Sequence, residues 1–184
     1  MANDIWKSII ENELLKVQYE KKCQEHTFPA KMTILKAGDI AQHFYFIKQG
    51  CIRLWFNQDG KDVTLQFFFE GQGIASIESL IQGTPSLFSI ETIEPTVVWE
   101  CSKADIFQMV ESYSELKEEL NKLIVNRLIN YTHLFLSRIK DTPQERYENL
   151  LKEHPEIIKR VPQHYIASFL GITSVSLSRI RNRK

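Results

Sequence analysis

The sequence predicts an α+β fold, a turn-rich all-β middle with helical ends, and three observations carry that expectation. Six of the seven glycines fall between Gly38 and Gly83, the seventh being Gly171; glycine tolerates the positive φ of tight turns and weakens helix interiors. Between Thr33 and Trp99, short β-branched or aromatic runs recur at roughly 8–12-residue spacing, the signature of a sandwich or barrel. Outside that stretch the apolar residues follow a helical repeat.

Residues 4–24 carry Ile5, Trp6, Ile9, Ile10, Leu14 and Val17 at helical spacing. The strand candidates are Thr33–Leu35, Phe44–Ile47, Cys51–Phe56, Val63–Phe69, Phe88–Ile90 and Thr96–Trp99, separated by turn signals at Gly38-Asp39, Gly50, Asp59-Gly60 and Gly71-Gln72-Gly73. The clearest hairpin joins Ile52–Phe56 to Val63–Phe69 through a 57–62 loop containing Asp-Gly, a pair suited to such turns. Phe67-Phe68-Phe69 reads as barrel core, with one of the three rings turned by the pleat to face outward or into a pocket.

Helical spacing resumes at Lys103, with Ser102 as N-cap and Asp105 three residues on. A longer helix spans about 114–139, with Leu120, Ile124, Leu128, Tyr131, Phe135 and Ile139 on one stripe that Leu116, Leu123, Leu134 and Leu136 widen. About 25 residues at about 1.5 Å rise give roughly 37 Å, more than a small β domain needs for cover. Two readings stand: the stripe packs only on the β domain, or one side covers it while the other pairs with a second copy. Asp141-Thr142-Pro143 breaks the helix as a hinge, and three shorter helices follow, about 143–153, 162–170 and 174–182.

The formal net charge is zero, but residues 159–184 hold six Lys/Arg and no acid, leaving 17 basic against 23 acidic side chains in residues 1–158. An acidic body with a basic tail is a cue for nucleic-acid or anionic-membrane contact. Within that tail, residues 163–181 have the spacing of a helix-turn-helix. Ala167 is small where two helices cross, Gly171 ends the first helix, Ile172 plugs the turn, and Thr173 caps the second. Ile166, Leu170, Leu177 and Ile180 point inward, leaving Ser174, Val175, Ser176, Ser178, Arg179 and Arg181 on the outer face. In such a motif the second helix enters the major groove. Arg179 suits a bidentate contact to guanine, Ser174 and Ser176 suit phosphate or bases, and Val175 a thymine methyl.

Other chemistry is poorly represented. The five histidines (His26, His43, His133, His154, His164) show no metal-ligand spacing. Cys23, Cys51 and Cys101 are scattered and odd in number, which argues against a disulfide framework and fits a reducing cytoplasm; Cys51 and Cys101 read as small apolar strand fillers. The N-terminus lacks signal-peptide character, and the longest uncharged stretch, 161–178, is too polar for a bilayer. Gly71-x-Gly73 is followed by neither a helix start nor a Lys, so it is no phosphate loop. No nucleophile–base pair has usable spacing; neither catalysis, a metal nor a cofactor is expected.

The glycine-punctuated roll, the long helix and the terminal helix-turn-helix together resemble the Crp/Fnr (catabolite activator and fumarate–nitrate regulator) family across nearly the whole chain. The residues that carry the resemblance are Leu35-Lys36-Ala37-Gly38-Asp39, 45–50, Asp59-Gly60-Lys61, Gly71-Gln72-Gly73, 165–172 and 176–181. It implies a cyclic-nucleotide-binding-like β-roll (double-stranded β-helix) and a cytoplasmic, homodimeric, sequence-specific DNA-binding regulator. The expected organisation is an N-terminal helix (1–27), the roll (28–101), a short helix plus a long dimerisation helix (102–141) and the DNA-binding module (142–184). Thr173, Ser174, Val175, Ser176, Ser178, Arg179, Arg181, Arg183 and Lys184 are the DNA-binding candidates, and Leu120, Ile124, Leu128, Tyr131 and Phe135 the dimer contacts. Arg179 matches a base-contacting Arg of the family, whereas Val175 stands where the family often has Glu, so a different target sequence is expected.

Two departures bear on function. Cyclic-nucleotide binders of the family hold the ribose with a Glu and the cyclic phosphate with an Arg-Ser or Arg-Thr pair; Ser76 and Ser86-Leu87 stand at those places, with no Lys or Arg between Lys61 and Lys103. A buried phosphate needs a cationic or amide-rich cradle. The candidate effector pocket, Ile74, Ser76, Glu78, Ser86 and Leu87, is therefore expected to take an unidentified small molecule or be filled by its own side chains, rather than bind cyclic AMP in the usual mode. The family also carries a β-hairpin wing after the recognition helix; here Arg181, Arg183 and Lys184 are expected to supply those phosphate contacts. The alternative is a sensor or protein-interaction module on the same fold that no longer binds DNA.

Overall fold

The computed structural model describes residues 13–182. Helix α1 (Glu13–Lys22) leads into eight strands: β1 (Cys23–Phe28), β2 (Thr33–Leu35), β3 (His43–Gln49), β4 (Ile52–Gln58), β5 (Lys61–Phe68), β6 (Gly73–Ile74), β7 (Ser89–Thr92) and β8 (Thr96–Ser102). A short helix, α2 (Ile77–Gln82), sits between β6 and β7, and α3 (Lys103–Ser112) and α4 (Ser114–Lys140) follow the roll. The chain then forms α5 (Pro143–Glu153), α6 (Pro155–Arg160), α7 (Gln163–Leu170) and α8 (Ser174–Arg181).

Two antiparallel four-stranded sheets, ordered β1-β8-β3-β6 and β2-β7-β4-β5, face one another. Tyr45, Ile47, Ile52, Leu54, Phe68, Ile74, Ile90 and Val98 fill the space between them. The strands read as near-continuous apolar runs because both faces are covered. In β3, Tyr45 and Ile47 point between the sheets while Phe44 and Phe46 point into a second cluster with Tyr19, Ile106, Met109 and Leu116. In the triple-phenylalanine run only Phe68 faces inward; Phe67 and Phe69 face out and are buried beneath the C-terminal helices. Burying each such ring stabilises the fold by about 1.5–3 kcal/mol.

Several local expectations change. The repeat that suggested helix to residue 24 gives way at Cys23 to β1, which pairs with β8. Ile5, Trp6, Ile9 and Ile10 lie outside the described residues; Val17 is exposed, and Tyr19 instead packs edge-on against Phe46 and Trp99. The hairpin closes with a two-residue turn, Asp59-Gly60, at φ 51° and 83°, rather than a six-residue loop; both values are those a type I′ turn requires. Strand β6 and helix α2 were not anticipated. Pro155, expected as a separator, starts α6, where its missing N–H is no loss. Cys101 is not a lone filler: it stands opposite Cys23 in the β1–β8 ladder and is bonded to it, leaving Cys51 as the free thiol among the described cysteines. Gly50, at φ 107°, admits no side chain, since a Cβ there would stand 2.5 Å from Thr96 Oγ1.

Helix α4, 27 residues long, divides along its length. Leu116, Leu120 and Leu123 pack into the cluster beneath α1 and α3. Arg127 lies 4.4 Å over the Phe68 ring and donates to the Gly73 carbonyl at 3.1 Å; burial lowers its pKa from the ordinary arginine value. From Ile124 to Ile139 the remaining stripe, including Leu128, Tyr131 and Phe135, is exposed.

Candidate functional site

The C-terminal module is built on local signals. Thr142 caps α5 through a capping box: its hydroxyl accepts from the Glu145 amide, and the Glu145 carboxylate accepts from the Thr142 amide, with Pro143 in the first turn. Helix α7 ends at Gly171 (φ 69°, ψ 32°). The Ile172 amide donates to the Ala167 carbonyl (2.9 Å) and the Gly171 amide to Ser168 (3.0 Å), a Schellman closure. Thr173 then caps α8, accepting from the Ser176 amide at 3.1 Å. Ala167, Ile166, Leu170 and Leu177 are buried between the helices with Tyr147, Leu150, Ile157 and Val161, and Ile180 packs against them.

This leaves one face of α8 open. Thr173, Ser174, Val175, Ser178, Arg179 and Arg181 are exposed and Ser176 is half-buried. Among the described residues neither Arg179 nor Arg181 forms a hydrogen bond or ion pair with the rest of the chain. Arg183 and Lys184 lie outside the described residues. One cation of the basic tail is already engaged: Arg160 holds Glu70 with two bonds (2.8 and 2.7 Å) and also pairs with Glu94.

Arg160 belongs to an interface that sequence reasoning missed, where the module packs on the outer face of β2-β7-β4-β5. Cys51, Phe67, Phe69 and Ile93 of the roll share one apolar cluster with the module's core. Phe67 meets Phe169 at 5.3 Å between ring centres. The Ser168 hydroxyl donates to the Asp62 carbonyl (2.7 Å) and accepts from the Thr64 amide (2.9 Å), tying α7 to β5. Arg53, 1% exposed, bonds Glu91 and Asp62, each at 3.0 Å, and lies 3.8 Å over the Tyr165 ring. The Tyr165 hydroxyl donates to Glu91, and burial raises its pKa. A buried guanidinium is tolerable only when paired and hydrogen-bonded in this way. The Arg160 guanidinium lowers the Glu70 pKa to about 2, and burial pushes the Cys51 thiol well up. An Arg amid an apolar strand and a Glu between Ile90 and Thr92 were the available signals.

Of the effector candidates, only Ser76 and Ser86 are brought together. Ile74 lies in the intersheet core, while Glu78 and Leu87 face solvent, Leu87 at 71% exposure. Ser76 and Ser86 are buried and share a hydrogen bond of 2.8 Å, and Ser86 also bonds the Phe88 carbonyl at 2.7 Å. Two open surface concavities, lined around Phe107 and around Ile40, include neither serine. Of the dimer candidates, Leu120 is half-buried against the roll, whereas Ile124, Leu128, Tyr131 and Phe135 are exposed along α4. Among the described residues no group of three or more His, Cys, Asp or Glu side chains is placed to hold a metal, and no helix is long and apolar enough to cross a membrane.

Comparison with known proteins places this arrangement. The cyclic nucleotide-binding domain family matches residues 25–113, from β1 through α3. The cAMP-activated global transcriptional regulator CRP of Haemophilus influenzae is 22% identical over 169 residues, covering 86% of this chain and 75% of that protein. The structure of FixK2 from Bradyrhizobium japonicum superposes with a TM-score of 0.74 at 18% identity, covering 88% of this chain and 83% of that one. A structure from Eubacterium rectale assigned to the Crp/Fnr family gives a TM-score of 0.73 at 17% identity, covering 97% and 84%. At that identity the two structures establish a shared fold. The chain therefore matches the cyclic nucleotide-binding domain family over its roll, and shares with the FixK2 and Eubacterium rectale structures a fold in which that roll is joined through one long helix to a helix-turn-helix.

Proposed function

We propose that the protein is a homodimeric, sequence-specific DNA-binding transcription regulator whose roll does not bind cyclic AMP in the usual mode. The observation that carries this reading is the outer face of α8. Arg179 and Arg181 stand exposed and unengaged on a helix whose start is fixed by the Gly171 closure and the Thr173 cap. Ser174, Val175, Ser176 and Ser178 belong to that helix's reading surface, with Arg183 and Lys184 as backbone contacts beyond it. The names of the relatives support the same role: the Haemophilus protein is called a transcriptional regulator. Pairing of two copies through Ile124, Leu128, Tyr131 and Phe135 buries the apolar stripe and presents two reading helices to half-sites about one turn, roughly 34 Å, apart.

For the roll, the bond between Ser76 and Ser86 supports a cassette that satisfies its own polar groups. With no cation between Lys61 and Lys103, a cyclic phosphate finds no guanidinium there.

Selection of genomic fragments by the purified protein tests the reading. Site-selective binding that weakens steeply with salt is expected, with selection reduced in Arg179→Ala by about 1–3 kcal/mol at one base position. Absence of selection, with Arg179→Ala indistinguishable from the parent, overturns it in favour of a module that has lost DNA. A rise of several degrees in melting temperature with micromolar cyclic AMP overturns the reading of the cassette.

A further inference from the structure

The last turn of α4 carries Arg138, and the first turns of α5 carry Arg146. Arg138 reaches out of the long helix to the helix-turn-helix. Its Nη2 donates to the Phe169 carbonyl at 2.8 Å, and its Nη1 lies 3.7 Å from where a Cβ on Gly171 would stand. A cation at the C-terminal end of α7 satisfies one free carbonyl and opposes the helix dipole. That role uses one of five guanidinium donors.

The remaining charge is not met by the chain. Among the described residues the exposed Arg138 forms no ion pair, and the charge that acts on it is Arg146, of the same sign. Burial and that neighbour together lower the Arg138 pKa from the ordinary arginine value. Arg146 bonds only the Asp141 backbone carbonyl (3.0 Å), and its Nε is buried without a partner. The Asp141 carboxylate accepts from the Ser137 hydroxyl (2.6 Å) and pairs with neither arginine. Helix capping explains the Phe169 bond but not a second guanidinium without a counter-ion beside it. Two like charges held together and partly desolvated are stabilised by an anion from outside.

Position names the anion. Gly171 is two residues from Thr173, the N-cap of α8, and two residues span at most about 7 Å. In a helix-turn-helix complex the start of the second helix lies at the base edges, flanked by backbone phosphates. The geometry points to Arg138, supported by Arg146, as a DNA backbone-phosphate contact supplied by the long helix rather than by the reading module. This inference rests on the DNA-binding reading above. The bond to Phe169 orients the guanidinium and ties the pairing helix to the register of the duplex.

The test uses full-length protein on a selected fragment and on mixed-sequence DNA, with affinity read across a salt series. Arg138→Gln is expected to weaken both by about eightfold near 0.1 M salt and to reduce the log–log salt slope by about 1, leaving sequence selection unchanged. Arg138→Lys is expected to keep most of the slope. A purely structural role would lower the melting temperature without moving the slope. If Arg138→Gln does not fold, Arg146→Gln, which leaves the Phe169 bond in place, is read the same way. A parent that selects DNA through Arg179 while Arg138→Gln keeps affinity and slope overturns this proposal alone. Failure of the parent to select DNA overturns the regulator reading, and the slope on mixed-sequence DNA still decides the phosphate contact.

Discussion

Glu70 accepts from the Gly50 amide at 2.8 Å while Arg160 grips both its oxygens, and that pairing holds its pKa at about 2 instead of 4.5. A carboxyl depressed in the folded state stabilises it above the unfolded value and loses that contribution as pH falls through the folded one. Melting temperature is therefore expected to fall between about pH 4.5 and pH 2 more steeply in the parent than in Glu70→Gln, as followed by circular dichroism. Equal slopes would show that the Arg160 bond contributes nothing. At this scale the sequence was least informative. Arg160 read as part of a free basic tail, and Arg53 as an ordinary strand residue, because both partners of each contact lie far apart in the chain. Capping residues were legible at Ser102, Gly171 and Thr173, which act within three or four residues of themselves, whereas Thr142-Pro143 read as a hinge and its capping box went unnoticed.

Helix α4 shows how one apolar stripe serves two environments. Its first half is committed to the roll through Leu116, Leu120 and Leu123, and Arg127 seals the boundary over Phe68. Beyond that point Leu128 and Phe135 are 66% and 65% exposed, so a charge there does not disturb the fold of one copy. Leu128→Glu with Phe135→Glu is expected to shift the protein to a monomer in sedimentation, with melting temperature changed by only a few degrees and binding to two-half-site DNA lost. A double variant that still sediments as a dimer would place the pairing surface elsewhere. Helical periodicity revealed the stripe but not its division, since spacing is blind to which face meets which neighbour. Strand β1 escaped notice for a related reason: Cys23-Gln24-Glu25-His26-Thr27-Phe28 lies at a sheet edge, largely exposed, and carries no apolar run. Two-residue β6 and six-residue α6 are too short for any periodicity to register.

Across the whole molecule, three apolar layers alternate with two sheets, and the outermost layer is shared between the roll and the C-terminal helices. Phe67, Phe69, Cys51 and Ile93 have no cover without that module. One cooperative unfolding transition is expected, with tryptophan fluorescence and far-ultraviolet circular dichroism coinciding. Arg160→Ala, which leaves Glu70 and Glu94 facing each other, is expected to lower the midpoint by about 2–4 °C for about 1 kcal/mol lost. Separate transitions in the parent would mean that the shared layer does not couple the two parts. The order of roll, long helix and helix-turn-helix was legible because glycine placement, stripe length and the Ala167–Gly171 spacing are each local. The docking of one part on another was not, since it depends on side chains that meet only after both have folded. The paired hydroxyls of Ser76 and Ser86 carry a consequence for chemistry at the roll. A guest that needs the proton of either hydroxyl competes with a bond the host has already made, worth about 0.5–1.5 kcal/mol. It therefore arrives with a handicap of up to about tenfold in occupancy before its own contacts are counted.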